Sequence, residues 1–164
     1  MNRKVILSLG SNLGERMENI RNAEVLIEST LGAIVSRSSY YETEPWGKLD
    51  QQAFINSAVS LFTDIMPSEL LVNIQEIQKI LGKKKIEKWG PRIIDIDIIF
   101  FADWIVNKEY LIIPHPQVQY RNFVMIPILD IEKNIMHPKL NKAIEELYLD
   151  SPDESEVKKL PDTL

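Results

Sequence analysis

Asp95 and Asp97 stand one residue apart inside the apolar run IIDIDIIFF, residues 93–101. Side chains alternate along a strand, so the two carboxylates share one face, with Cα atoms roughly 6.6 Å apart. Ile94, Ile96 and Ile98 take the other face as core, while Ile99 and Phe101 continue the aspartate face. A bare pair of this kind also fits the wet side of a half-exposed strand. Aspartate is disfavoured in strands, however, and the large apolar neighbours on the same face place the carboxylates at a partly dry rim. Two like charges there need a cation or they resist ionising together. Oxygen ligands suit Mg²⁺, which completes its octahedron with water and substrate phosphates. Lys83, Lys84, Lys85, Lys88 and Arg92 precede or enter the same strand. Alone, a lysine-rich loop is a solvated turn. Beside a metal-ready strand it is a phosphate clamp, in which cationic side chains and Mg²⁺ neutralise a polyphosphate. GSNLG, residues 10–14, is too short for a P-loop and lacks its Lys and Ser/Thr.

These residues need a scaffold, and the chain is long enough to provide one. Its 164 residues, 45% hydrophobic and 26% charged, suit a single globular domain over 1–164. A net charge of −5 argues against a basic nucleic-acid-binding surface. The absence of cysteine excludes disulfides, zinc-thiolate sites and thiol nucleophiles. VILSLG after Arg3 and Lys4 is too brief for a secretory h-region, and no run reaches membrane-spanning length. The expectation is a cytoplasmic protein that binds neither membrane nor nucleic acid.

Residues 4–9 read as a buried strand. Met17, Ile20, Ala23, Ile27 and Leu31 recur at helical spacing from Glu15 to Leu31, with Gly32 as the stop. Residues 33–41 and 53–62 read as strands, and 42–52 as loop. A helix begins at Pro67, with Leu70, Ile74, Ile77 and Leu81 as its buried stripe and Gly82 at its end. After a polar loop comes the aspartate strand, then a short edge strand at 104–106. A Pro-His-Pro turn at 114–116 precedes a last apolar segment, VMIPILDI. The order strand, helix, strand, strand, helix, strand predicts an α/β (α+β) ferredoxin-like sandwich, a mainly antiparallel sheet with helices packed on it. Residues 150–164 are polar with two prolines and predict a loosely held tail.

The stretch KWGPRIIDIDIIFF, residues 88–101, resembles the R-W-G-P-R-x-x-D-L-D-I signature of the 6-hydroxymethyl-7,8-dihydropterin pyrophosphokinase family. LGSNLG, YETEPWG with DQQAFINSAV, LGKKK and IPHPQVQYRNFVMIPILDI resemble further blocks of that family in the right order, making five blocks over residues 5 to about 131. The resemblance implies an elaborated ferredoxin-like fold and pyrophosphoryl transfer from ATP to the hydroxymethyl group of a reduced pterin, with release of AMP. It implies that Asp95 and Asp97 hold two Mg²⁺ ions across the triphosphate, and that Arg92 joins them as a catalytic group. It places the pterin against Asn56, backbone near Thr43 and Glu44, the rings of Phe54 and Phe123, and Trp46 in a loop over the pocket. ATP would meet Leu71, Gln75, Gln78 and Ile98 around adenine and ribose, and Lys83, Lys85, Lys88, Trp89, Arg92, His115 and Arg121 around the phosphates. The protein is expected to be a monomer. His137 matches no functional position and reads as surface.

The chain departs from the family pattern in three places. Lysines stand at 83, 85 and 88 where arginines are usual, keeping the charge but losing the bidentate fork. Gln78 stands where an acidic residue is common, and Pro116 where some members carry Tyr. Two rival readings share the strand order. An RNA-recognition domain needs the run K/R-G-F/Y-G/A-F-V-x-F/Y, which is missing. A regulatory small-molecule domain has no need of Asp95, Asp97 and a cationic loop together.

Overall fold

The computed structural model describes residues 2–44, 50–84 and 90–161. The chain opens with strand β1 (Arg3–Ser11) and helix α1 (Arg16–Thr30). Ile20, Ala23 and Ile27, at spacings of three and four, are completely buried. Gly32 follows with φ +153°, and a Cβ there would lie 2.2 Å from the carbonyl oxygen of Phe62, so no larger residue fits.

Two strands, β2 (Ile34–Arg37) and β3 (Tyr41–Thr43), stand where the sequence predicts one. Both pair antiparallel with β4 (Phe54–Thr63). The break falls at Ser38, whose hydroxyl accepts the amide hydrogen of Ala58 at 2.8 Å in place of a backbone carbonyl. Such side-chain substitution interrupts a regular ladder. Helix α2 (Pro67–Ile80) starts with proline in its first turn and buries Leu70, Ile74 and Ile77 as the spacing predicts. The fourth buried position is Gln78, while Leu81 packs only partly against the core. Strand β5 (Asp95–Phe101) follows.

The sheet runs β5-β1-β4-β3, with β2 also on β4 and every pairing antiparallel. This is the expected ferredoxin-like order. Helices α1 and α2 bury one face against Val5, Leu7, Leu9, Ile55, Val59, Leu61 and, on β5, Ile96 and Ile98.

The rest of the chain builds a third layer. A separate hairpin, β6 (Val106–Lys108) and β7 (Leu111–Ile113), replaces the edge strand expected at 104–106. After a 3₁₀ turn at Val118–Tyr120, the apolar segment forms α3 (Asn122–Ile131). A small hairpin, β8 (Met136–His137) with β9 (Lys142–Ala143), leads to α4 (Ile144–Leu149). Val124, Met125, Ile128, Ile144 and Leu147 pack on Ile6, Ala58, Ile99 and Phe100, covering the second sheet face.

Three expectations are corrected. Phe101 does not share the aspartate face. The register between β1 and β5 skips at Ile99, with Ile6 opposite Phe100 and Leu7 opposite Ile98. One extra residue flips the alternation, so Phe100 joins the second core and Phe101 the first. His137 is not on the surface. It is 4% exposed, its Nδ1 accepts the amide hydrogens of Lys139 and Leu140, and its ring meets Phe100 edge-on. Burial lowers its pKa, as a neutral turn acceptor requires. The polar C-terminal stretch, as far as residue 161, is not loosely held, because Val157–Lys159 forms β10, antiparallel to β3 at the sheet edge. No helix among the described residues is long and apolar enough to cross a membrane.

Candidate active site

The second sheet face is covered by α3 and α4 only over part of its length. Beyond Ile6 on β1 the same face carries Ser8 and Gly10; beyond Ile99 on β5 it carries Asp97 and Asp95. Together they floor a cavity of about 250 Å³. This answers why an apolar strand holds two carboxylates: one end of it is core and the other is a binding floor.

Asp95 sits between two cations. Lys83 Nζ lies 2.7 Å from its Oδ1 and Arg92 Nε lies 3.8 Å from the same atom. Asp97 opens into the cavity but is enclosed by protein on its other sides. That deep setting, with the Asp95 charge added, pushes its pKa up to about 6, against the pull of Lys83 and Arg121. Among the described residues no group of three or more His, Asp or Glu side chains is placed to hold a metal. Asp95 and Asp97 themselves are oxygen donors on one strand face, a donor type that fits Mg²⁺ alongside water and phosphate ligands.

The same cavity is also lined by polar and aromatic side chains from β3, β4 and α3. Asn56 on β4 and Thr43 on β3 are each 4% exposed, and Asn56 Nδ2 donates to Thr43 Oγ1 at 2.7 Å. This bond fixes the amide and leaves its second hydrogen and Oδ1 for a ligand. Phe54 and Phe123 line the cavity from β4 and α3, and Glu44 closes it near Thr43. Arg121 spreads over the Phe123 ring, 5.8 Å from its centroid. His115 lines the cavity from the Pro-His-Pro turn. Burial, then Arg121, drop its pKa to about 4, and its Nδ1 accepts the amide hydrogen of Gln117. The neutral ring thus keeps its proton on Nε2 and serves as a donor.

Ten of the residues singled out in the sequence thus line one cavity: Thr43, Glu44, Phe54, Asn56, Arg92, Asp95, Asp97, His115, Arg121 and Phe123. Lys83 joins through Asp95. The residues assigned to adenine and ribose lie elsewhere. Ile98 is buried in the core under α2, Leu71 packs on that core, and Gln75 is exposed on α2. Gln78 is buried and already engaged: its Oε1 accepts the Ile96 amide hydrogen at 2.8 Å and Lys83 Nζ at 3.2 Å. It thereby satisfies a donor on β5, the outer strand of the sheet, just between the two aspartates. Trp46, Lys85, Lys88 and Trp89 fall outside the described residues.

Sequence reasoning missed Asn12. It is fully buried, accepts the Arg92 amide hydrogen at 2.6 Å and donates to Gln51 Oε1 and the Gln52 carbonyl. Its own amide hydrogen goes to the Arg92 carbonyl at 2.9 Å. One side chain thus ties the loop before β4 to the segment before β5. Its only signal is a polar residue directly following a buried strand. Ser8 and Gly10 were missed too, since nothing local marks them as floor.

Residues 6–133 match the model of the family described as 7,8-dihydro-6-hydroxymethylpterin-pyrophosphokinase (HPPK). The chain is 39% identical over 142 residues to the 2-amino-4-hydroxy-6-hydroxymethyldihydropteridine pyrophosphokinase of Aquifex aeolicus, covering 87% of this chain and 88% of that one. It is 40% identical to the Bacillus subtilis protein of the same name, over 80% of this chain and 79% of that one. It is also 40% identical to the folic acid synthesis protein fol1 of Pneumocystis carinii, over 90% of this chain but spanning only 20% of that longer protein. In fold it is similar to the wild-type Plasmodium falciparum HPPK-DHPS crystal structure, with TM-score 0.73 and 20% identity, over 91% of this chain and 44% of that one.

Proposed function

The chain belongs to the 7,8-dihydro-6-hydroxymethylpterin-pyrophosphokinase family, and from that premise we propose how its cavity carries out the family's reaction. The reaction is pyrophosphoryl transfer from ATP to hydroxymethyldihydropterin in folate synthesis. The hydroxymethyl oxygen bonds to the β-phosphorus, the bridge from the α-phosphate breaks, and AMP leaves. The observation that carries our reading is a single cavity that joins an acidic floor on β5 to a part lined by the polar Thr43 and Asn56 and the aromatic Phe54 and Phe123.

Asn56 and the Thr43–Glu44 backbone hydrogen-bond the pterin edge, and Phe54 and Phe123 stack on its faces. The hydroxymethyl group then points toward Asp95 and Asp97. Lys83, Arg92, His115 and Arg121 surround the phosphates, with His115 giving a neutral hydrogen bond and the others charge. Asp95 and Asp97 would hold two Mg²⁺ ions, whose charge would offset the repulsion between the two neighbouring carboxylates. Bound Mg²⁺ supplies charge neutralisation on the triphosphate and a lower pKa for the attacking hydroxyl. The side chains contribute orientation, holding nucleophile and phosphorus in line. The adenosine extends past β5 toward α2, where Leu71, Gln75 and Ile98 lie. A single chain furnishes every described wall of the cavity, so the reaction as proposed needs no residue from a second copy.

Incubation with ATP, Mg²⁺ and the reduced pterin, followed by mass spectrometry and nucleotide chromatography, tests the reading. AMP and a pterin diphosphate in equal amounts are expected, with no turnover in excess chelator. ADP as the main nucleotide product would reject it in favour of single-phosphoryl transfer.

A further inference from the structure

The C-terminal stretch reaches two opposite walls of the cavity. At one end Asp153 Oδ2 accepts the Asn122 amide hydrogen at 2.8 Å, and the Asp153 carbonyl accepts from Asn122 Nδ2 at 2.9 Å. Asn122 is the first residue of α3 and lies between Arg121 and Phe123, both of which face the cavity. A helix start has orphan N–H groups and a positive end, and α3 has no side-chain cap of its own. Asp153 supplies that cap from a distant part of the chain. The carboxylate is itself fixed, because its Oδ1 accepts both the amide and the hydroxyl hydrogens of Ser155. Burial would raise its pKa, but these bonds and that from Asn122 outweigh burial and lower it, so the cap stays charged at neutral pH.

At the other end, β10 pairs with β3. Val157 stands opposite Thr43, and the Leu160 amide hydrogen goes to the Tyr40 carbonyl at 2.9 Å. Away from the cavity α3 and β3 have a second tie: Asp130 Oδ2 accepts from the Tyr41 hydroxyl at 2.6 Å and the Ser39 amide at 3.1 Å. The two elements are therefore linked at both ends, and Asp153 is the link at the mouth.

We propose that Asp153 is a positioning residue for the ring substrate: residues 153–157 form a strap that sets the spacing between Phe123 on α3 and Thr43 on β3. The inference rests on the ring-site assignment made above. It follows that the strap governs the pterin half of the cavity and leaves the Asp95–Asp97 floor, which hangs on β1 and α2, unaffected.

The test titrates the reduced pterin by calorimetry into full-length protein saturated with Mg²⁺ and an unreactive ATP analogue. Asp153→Ala should weaken pterin binding about tenfold, the loss of one charged cap, while analogue affinity stays within about twofold. Asp153→Asn, whose amide oxygen can still accept the Asn122 hydrogen, should restore most of the binding. Amide exchange should quicken at Asn122–Val124 and at Thr43 in the alanine variant, and not in α1 or α2. Unchanged pterin affinity, or an equal loss for both ligands, overturns the strap. Parent protein that fails to bind pterin would instead reject the ring-site reading, and the exchange pattern alone would then decide whether the strap exists.

Discussion

Asp97 is the residue where burial, charge and function conflict most directly. Its carboxyl has a pKa near 6 in the folded, metal-free protein, against an ordinary 3.8. The folded state therefore prefers the protonated form. The stability this gives is fully present below the unfolded value and is lost as pH rises through about 6. In chelating buffer, thermal stability should accordingly decline as pH rises from about 4 to about 6, between the unfolded and folded values, and Mg²⁺ should reverse the decline. Asp97→Asn should flatten the curve and abolish turnover. Scanning calorimetry across pH, with and without Mg²⁺, checks this; a wild-type decline that persists unchanged in the variant would assign it to another group. His115 behaves differently. Held at a pKa of about 4 with its Nδ1 occupied, it presents the cavity with a donor that carries no charge over the whole neutral range.

Among the elements, β1 does the quietest work. Gly10 stands opposite Asn56 on β4 and Asp95 on β5, so it separates the ring pocket from the acidic floor. A Cβ there would lie 3.0 Å from Asn56 Oδ1 and 3.7 Å from Phe54 Cδ1. That is tight but short of a backbone clash, unlike Gly32. Gly10→Ala should thus fold, yet push Asn56 off the position its bond to Thr43 defines. Pterin KM should rise about tenfold while ATP KM moves little, a difference worth about 1.4 kcal/mol of pterin binding. Steady-state kinetics with each substrate varied in turn separates the two, and equal changes in both would mean that the strand as a whole has shifted. Strand β5 is held differently, by the Gln78 amide at its open edge, which is why an acidic residue is not needed at 78 for the strand to stay in register.

At the scale of the whole molecule, segments far apart in sequence meet at the cavity on the second sheet face. Asn12 is the clearest junction. It joins Gln51 and Gln52, which lead into the ring pocket, to Arg92, which leads into the acidic strand. Asn12→Ala would leave the part-buried Arg92 amide without its acceptor, a cost of about 1 kcal/mol. Since the clip serves both halves, KM for ATP and for the pterin should rise together, with a fall in melting temperature. This is the reverse of the one-sided effect expected at Gly10 and Asp153. A melting curve combined with both KM values checks it; a change confined to one substrate would show that the two segments are positioned independently.

What the sequence by itself determined was whatever depends on the period of the backbone. The helical stripes of α1 and α2, the six-element order, and the shared face of Asp95 and Asp97 all follow from 3.6- and 2-residue repeats, which need no partner to be read. The family blocks added the residues of the ring pocket and the phosphate cations. Tertiary structure alone decided matters that depend on pairing between distant segments. The bulge at Ile99 sends Phe101 to the opposite core because β1 and β5 differ by one residue in register. Gln78 became a structural bond because β5 is the last strand of its sheet and has a donor to satisfy. His137 went inside because a hairpin closed over it, and the C-terminal stretch became a strand because β3 had a free edge. Each outcome turns on which groups lie across from one another in space, a property that local composition does not encode.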